Sequence, residues 1–175
     1  MKLRLILCAA VIAASAGLCS CGSDDSSKSK VSVSDSETES VSQPVDLKSA
    51  AEKLQSKNEE LNKTVMYSDS AFEMNCMNLF DCEYSDLSEG FIIYNSGGGK
   101  ADEISVISRR DGDTSKNENL LKARSERRYK DFDGYVPEEL PKIKNAKIFS
   151  VGNYSVLIIA ENASELENIV KDLLK

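Results

Sequence analysis

Histidine and tryptophan are both missing from the 175 residues of this chain. Without an imidazole, Ser-His-Asp and Cys-His nucleophile arrangements cannot be built, and the usual zinc-hydrolase ligand set is lost too. The remaining residues offer no catalytic constellation, and the sequence implies neither a metal nor a cofactor. Positive charge is also short, with 22 Lys and Arg against 29 Asp and Glu. A chain that neutralises phosphates carries a basic surplus, so nucleic acid is excluded as the expected partner. Cysteine is scarcer than its count of 5 implies. Cys8, Cys19 and Cys21 crowd the N-terminus, which leaves Cys76 and Cys82 for a folded domain. On one continuous helix six residues would separate their Cα atoms by roughly 9–10 Å, beyond the ~7 Å reach of a disulfide. The expectation is two free thiols, although a turn in that segment would allow a bridge.

The N-terminus carries the strongest signal. Lys2 and Arg4 precede an apolar stretch, Leu5 to Gly17, followed by Leu18-Cys19-Ser20-Cys21, the order of parts in a secretory signal. Thirteen helical residues reach only ~20 Å against a hydrocarbon core of roughly 30 Å, so the stretch is too short to span. Cys21 follows small Ser20 with Leu18 two places earlier, whereas Cys19 would put bulky Leu18 at the cleavage position. This arrangement resembles the lipobox of bacterial lipoproteins. That resemblance implies a diacylglycerol thioether on Cys21 and removal of residues 1–20. The alternative is an ordinary secretory signal cut after Ala16 or Ser20. Two acyl chains hold a protein to a bilayer durably where one does so only marginally. The expected location is the outer face of the bacterial cytoplasmic membrane, with the membrane a partner through the lipid on Cys21.

Residues 21–44 are rich in serine, and Val31, Val33 and Val41 are their only large apolar side chains. Such a segment cannot build a core and reads as a disordered spacer, with a random-coil reach of roughly 25 Å. Residues 45–175 are the length of one domain. Once residues 1–20 are gone the chain carries 20 basic and 29 acidic residues, a net charge of −9, and an anionic membrane surface repels it.

Serine followed three residues later by glutamate recurs at Ser49/Glu52, Ser70/Glu73, Ser115/Glu118 and Ser164/Glu167. Each pattern predicts a capping box opening a helix, giving helices over 47–63, 71–82, 115–132 and 164–174. A short fifth helix is expected to start at Pro137 and end near Pro141. Runs rich in β-branched and aromatic residues predict strands over 91–95, 104–109, 146–151 and 154–160. Gly97-Gly98-Gly99 and Gly152-Asn153 join them as two hairpins. The expected fold is α+β: an antiparallel sheet of about four strands with helices packed mainly on one face.

Two apparent ligand motifs fail on inspection. Tyr94 and Ala101 occupy required positions of a phosphate loop around Gly97-Gly98-Gly99-Lys100, and Lys116 and Lys122 spoil a calcium loop at Asp111. The basic run of Lys122, Arg124, Arg127, Arg128 and Lys130 stands out in an acidic chain. Projected on a helix, Leu121, Ser125, Tyr129 and Phe132 form the inward stripe, with Arg128 inside it and Arg124 at its edge. An arginine at a buried margin needs an anionic partner, for which Glu103 is the candidate. Three readings stay open: a structural ion pair between sheet and helix, an arginine pair that receives a ligand carboxylate or phosphate, and ordinary solvated arginines.

The lipobox, the polar spacer, Ala101-Asp102-Glu103-Ile104, Arg124, Tyr135-Val136-Pro137-Glu138 and Gly152-Asn153-Tyr154 together resemble a domain-of-unknown-function family of Gram-positive, clostridial-type lipoproteins. The resemblance covers most of residues 45–175. It implies an extracytoplasmic setting and no reaction, and it marks Glu103, Arg124 and Tyr135 as recurrent polar positions with a structural or binding role. The expected function is a non-catalytic binding or interaction module of the cell envelope, its partner an envelope protein or a small anionic ligand. Two alternatives stand beside it. One is an enzyme acting on wall or extracellular polymer through carboxylates such as Glu103, Glu138 and Glu139, and the other is an accessory subunit of a membrane complex.

Overall fold

Phe91-Ile92-Ile93 and Val156-Leu157-Ile158-Ile159 are apolar at consecutive positions, not alternate ones. Strands of that kind are satisfied only when both faces of their sheet are covered. The computed structural model, which describes residues 44–175, has that arrangement. The expected signal peptide, Cys21 and the expected spacer up to residue 43 lie outside the described residues.

Five strands, β1 (Lys63–Met66), β2 (Leu87–Tyr94), β3 (Glu103–Arg109), β4 (Lys147–Val151) and β5 (Tyr154–Ile159), form one antiparallel sheet in the order β1-β2-β3-β5-β4. Five helices accompany it: α1 (Leu47–Gln55), α2 (Ser70–Asn75), α3 (Thr114–Asp133), α4 (Leu140–Lys144) and α5 (Ala163–Leu173). The fold is α+β, with one strand more than expected. That strand, β1, starts at Lys63, where the first helix was expected to end. α1 stops at Gln55, and Asn58 is held by donating to Asp102 Oδ1 at 2.9 Å. Thr64 and Val65 then suit an edge strand, paired with Ile93 and Ile92.

The helices are not gathered on one face, and this corrects the expectation. Phe91, Ile93, Ile104, Val106, Val156 and Ile158 pack against α1 and α5 through Ala50, Leu54, Leu166 and Val170. Ile92, Ile107, Leu157 and Ile159 pack against the other layer through Phe72, Leu121, Phe132 and Ile143. Strand parity divides one apolar sheet between two cores.

The helix starts were found, but not their caps. Asp46 and Asp113 accept backbone N–H bonds from Ser49 and Ser115, and Asp69 and Asn162 occupy the other two N-cap positions. At α1 and α3 an upstream aspartate takes the capping role assigned to serine, whereas Asp69 and Asn162 make no side-chain cap bond. Pro141 lies in the first turn of α4, after a 3₁₀ turn at Pro137–Glu139, and so helps to start that helix instead of ending it.

The second helix also departs from the α geometry on which the cysteine separation was reckoned. After α2 the chain widens into a π turn, Cys76–Phe80, and reverses at Asp81, which takes the left-handed conformation (φ 56°, ψ 45°). Cys76 and Cys82 are both free, as expected, but the reversal folds Cys82 back onto Cys76.

Gly90 in β2 has φ 152°, and a Cβ there would stand 2.3 Å from the Val106 carbonyl oxygen of β3. Only glycine permits the two backbones to approach so closely.

Candidate functional site

The start of β3 is where charge enters the interior. In β3, Ile104 and Val106 face one core, so parity turns Glu103, Ser105 and Ile107 toward α3. Glu103 is wholly buried. It accepts from Arg124 Nε at 3.0 and 3.2 Å, from a terminal guanidinium nitrogen of Arg124 at 2.6 Å, and from Ser105 Oγ at 3.1 Å. Burial alone would raise the proton affinity of this carboxyl, but the Arg124 charge and hydrogen bonds, with help from Arg128 and Ser105, hold it below the usual carboxylate range. Arg124 is correspondingly held more firmly protonated, because Glu103 outweighs its own desolvation.

Arg128 takes a lesser share. Its Nε lies 3.9 Å from Glu103, is buried and has no hydrogen-bond partner, while its guanidinium sits 4.7 Å from the Phe132 ring centroid. Burial pulls its proton affinity down. One of its terminal nitrogens donates to the Lys100 carbonyl at 3.0 Å, which links this pair to a second cluster.

In that cluster Lys142 donates to Asp102 Oδ2 at 2.6 Å and to Glu139 Oε2 at 2.7 Å. Glu139 also accepts from the Ala101 N–H at 3.0 Å and from Lys100 Nζ at 3.3 Å. Burial opposes ionisation of Glu139, yet the Ala101 amide, Lys142 and Lys100 lower its proton affinity, and the two carboxylates hold Lys142 protonated. A cleft of about 520 Å³ opens over this cluster, with Lys57, Glu59, Glu60, Glu138 and Glu161 around Asp102 and Lys142.

Of the residues singled out from sequence, the structure brings Glu103, Arg124 and Arg128 together and leaves Tyr135 apart, with 72% of its surface exposed. The depth of the two arginines is reversed, since Arg124 is buried and Arg128 only partly so. The buried line of α3 runs through Asn117, Leu121, Arg124 and Phe132, with Ser125 and Tyr129 flanking it. Glu103 fills the arginine fork in the manner of a ligand carboxylate, so the structural ion pair is what the chain has built. Glu138 is exposed and Glu139 buried. Asp102 and Lys142 were not foreseen. The one sequence signal for them is the acidic doublet Asp102-Glu103 ahead of an apolar strand, which demands two separate cations.

Chemically, Glu103 and Glu139 are fixed as anions and Lys142 as a cation. That state suits neither a proton donor nor an amine nucleophile. Among the described residues no group of three or more Cys, Asp or Glu side chains is placed to hold a metal ion.

A five-stranded antiparallel sheet between two helical layers, with a charged seam along the start of its central strand, defines a small α+β domain. Residues 60–160 match the model of the domain of unknown function DUF4358, and the chain belongs to that family. No curated protein and no solved structure is matched by this chain.

Proposed function

We propose that the chain is a bacterial lipoprotein, held at the outer face of the cytoplasmic membrane by lipid on Cys21, whose domain is a non-catalytic binding or interaction module of the envelope. The observation that carries this reading is Leu18-Cys19-Ser20-Cys21 behind a basic start and a short apolar stretch. The serine-rich segment that follows suits a spacer. Among the described residues no helix is long and apolar enough to cross a membrane. The ionised, internally neutralised carboxylates support binding over acid–base chemistry. The cleft rim holds Glu59, Glu60, Glu138 and Glu161 beside Lys57 and Lys100, so a free anion meets more like charge than unlike. That balance favours an envelope protein over a small anionic ligand as the partner.

Membrane fractionation with mass spectrometry of Cys21 tests the anchor. The wild-type protein sediments with membranes and carries a diacylglycerol adduct, and Cys21→Ala moves to the soluble fraction. An unacylated Cys21, or a variant that stays membrane-bound, would sink the reading. Affinity purification from solubilised membranes tests the module: a protein retained by wild type and lost when Glu59 and Glu60 are changed to lysine supports it, whereas retention of no envelope protein counts against it.

A further inference from the structure

We propose that Cys76 and Cys82 form a reversible dithiol–disulfide site, with Cys82 as the attacking thiol and Cys76 as the resolving one. The backbone builds the pair. Cys76 opens the π turn, Asp81 reverses the chain, and the Cys82 N–H donates to the Cys76 carbonyl at 3.2 Å. Helix ends closed by a left-handed residue bring together the side chains on either side of the reversal, usually as an apolar contact. Here both are cysteines, Cys76 ahead of the reversal and Cys82 just past it. That backbone bond removes the separation a continuous helix would impose and places the pair for bridging.

The two thiols are unequal. Cys76 is fully buried beside Phe72 and Phe80. Cys82 is partly exposed and lines a surface pocket of about 390 Å³ with Asp86, Arg109 and Lys116. The neighbouring Cys76 thiol, with the nearby Arg109 charge, favours the Cys82 thiolate, whereas Cys82 and burial keep Cys76 protonated. A reachable, more acidic thiol backed by a buried neutral one is the arrangement that thiol–disulfide exchange requires.

The oxidant is a disulfide, R–S–S–R, of a small thiol or of a thiol–disulfide exchange protein. The Cys82 thiolate attacks one sulfur, forming a mixed disulfide and releasing RS⁻. Cys76 then gives its proton to that thiolate and attacks the Cys82 sulfur, which expels a second RS⁻. The second RS⁻ takes up the proton that Cys82 released to water, so the protein loses two protons and two electrons and R–S–S–R becomes two thiols. The site does not depend on the lipid anchor.

The test uses the full chain with Cys8→Ser, Cys19→Ser and Cys21→Ser, equilibrated with oxidised glutathione and read by intact mass and peptide mapping. The expected product has lost two hydrogens, contains a Cys76–Cys82 peptide and is restored by dithiothreitol. Cys76→Ala should instead accumulate a stable glutathione adduct at Cys82, and Cys82→Ser should leave Cys76 unmodified in the folded protein. Before oxidation, iodoacetamide should label Cys82 at least about tenfold faster than Cys76. A chain with both cysteines that stays fully reduced, or stops at the Cys82 adduct, would overturn the proposal.

Discussion

Arg124 of α3 grips Glu103 of β3 with its Nε and a terminal nitrogen, the shortest contact being 2.6 Å, and the carboxylate it holds is wholly buried. This pair sets the rotation of a 20-residue helix against the central strand of the sheet. A buried ion pair is costly to form and costlier to halve, because removing one partner strands the other charge away from water.

Arg124→Ala and Glu103→Ala should therefore each lower stability by about 3–5 kcal/mol. The double replacement Glu103→Leu/Arg124→Met should be nearly neutral, or even stabilising by about 1–4 kcal/mol. Urea unfolding of these three variants and the wild type checks both expectations. If each single change costs no more than an exposed ion pair, under about 1 kcal/mol, the pair does not organise α3.

Glu103 and Glu139 are both held below the usual carboxylate range. A group whose folded-state value is depressed contributes its stability above its unfolded value, about 4.3 for glutamate, and loses it as pH falls through the folded value. Unfolding midpoints should accordingly be insensitive to these two groups above about pH 5 and decline below about pH 4.3. Glu103→Gln, less stable at neutral pH, should show a shallower acid decline. Lys142 is shifted the other way, so its contribution is present below its unfolded value near 10.4 and is lost only as pH rises past that.

Gly90→Ala should be destabilising out of proportion to one added methyl. Strained backbone alone accounts for about 1–3 kcal/mol, and the new Cβ would also press on the Val106 carbonyl oxygen at 2.3 Å. Gly98→Ala, at a hairpin tip with φ 75° and open space around it, carries the strain without the collision and should cost less. Thermal denaturation of both variants compares them directly.

Much of this fold can be read from local pattern. The β-branched runs at Ile104 to Arg109 and Tyr154 to Ala160, and the glycines at 97–99 and 152, gave both hairpins. β1 escaped notice because four residues with no alternating pattern look like the frayed end of the preceding helix. The second helical layer escaped for a different reason: α1 and α5 lie at opposite ends of the domain sequence, and nothing local says which face of the sheet each will take. At the charged seam, Glu103 and its arginines were legible because a buried cation must find an anion. Lys142 was not, since its partners stand 40 and 3 residues away and a lone lysine on a short helix looks solvated. The meeting of Cys76 with Cys82 depended on a π turn, which helical periodicity does not register.

β3 is roofed by α3, floored by α1 and α5, and bonded along its two edges by β2 and β5. Its amide protons have no private route to water, because loosening any single helix still leaves the neighbouring strands in place. The strand that carries Glu103 therefore acts as the keystone of the domain, exposed last and only when the whole arch comes apart.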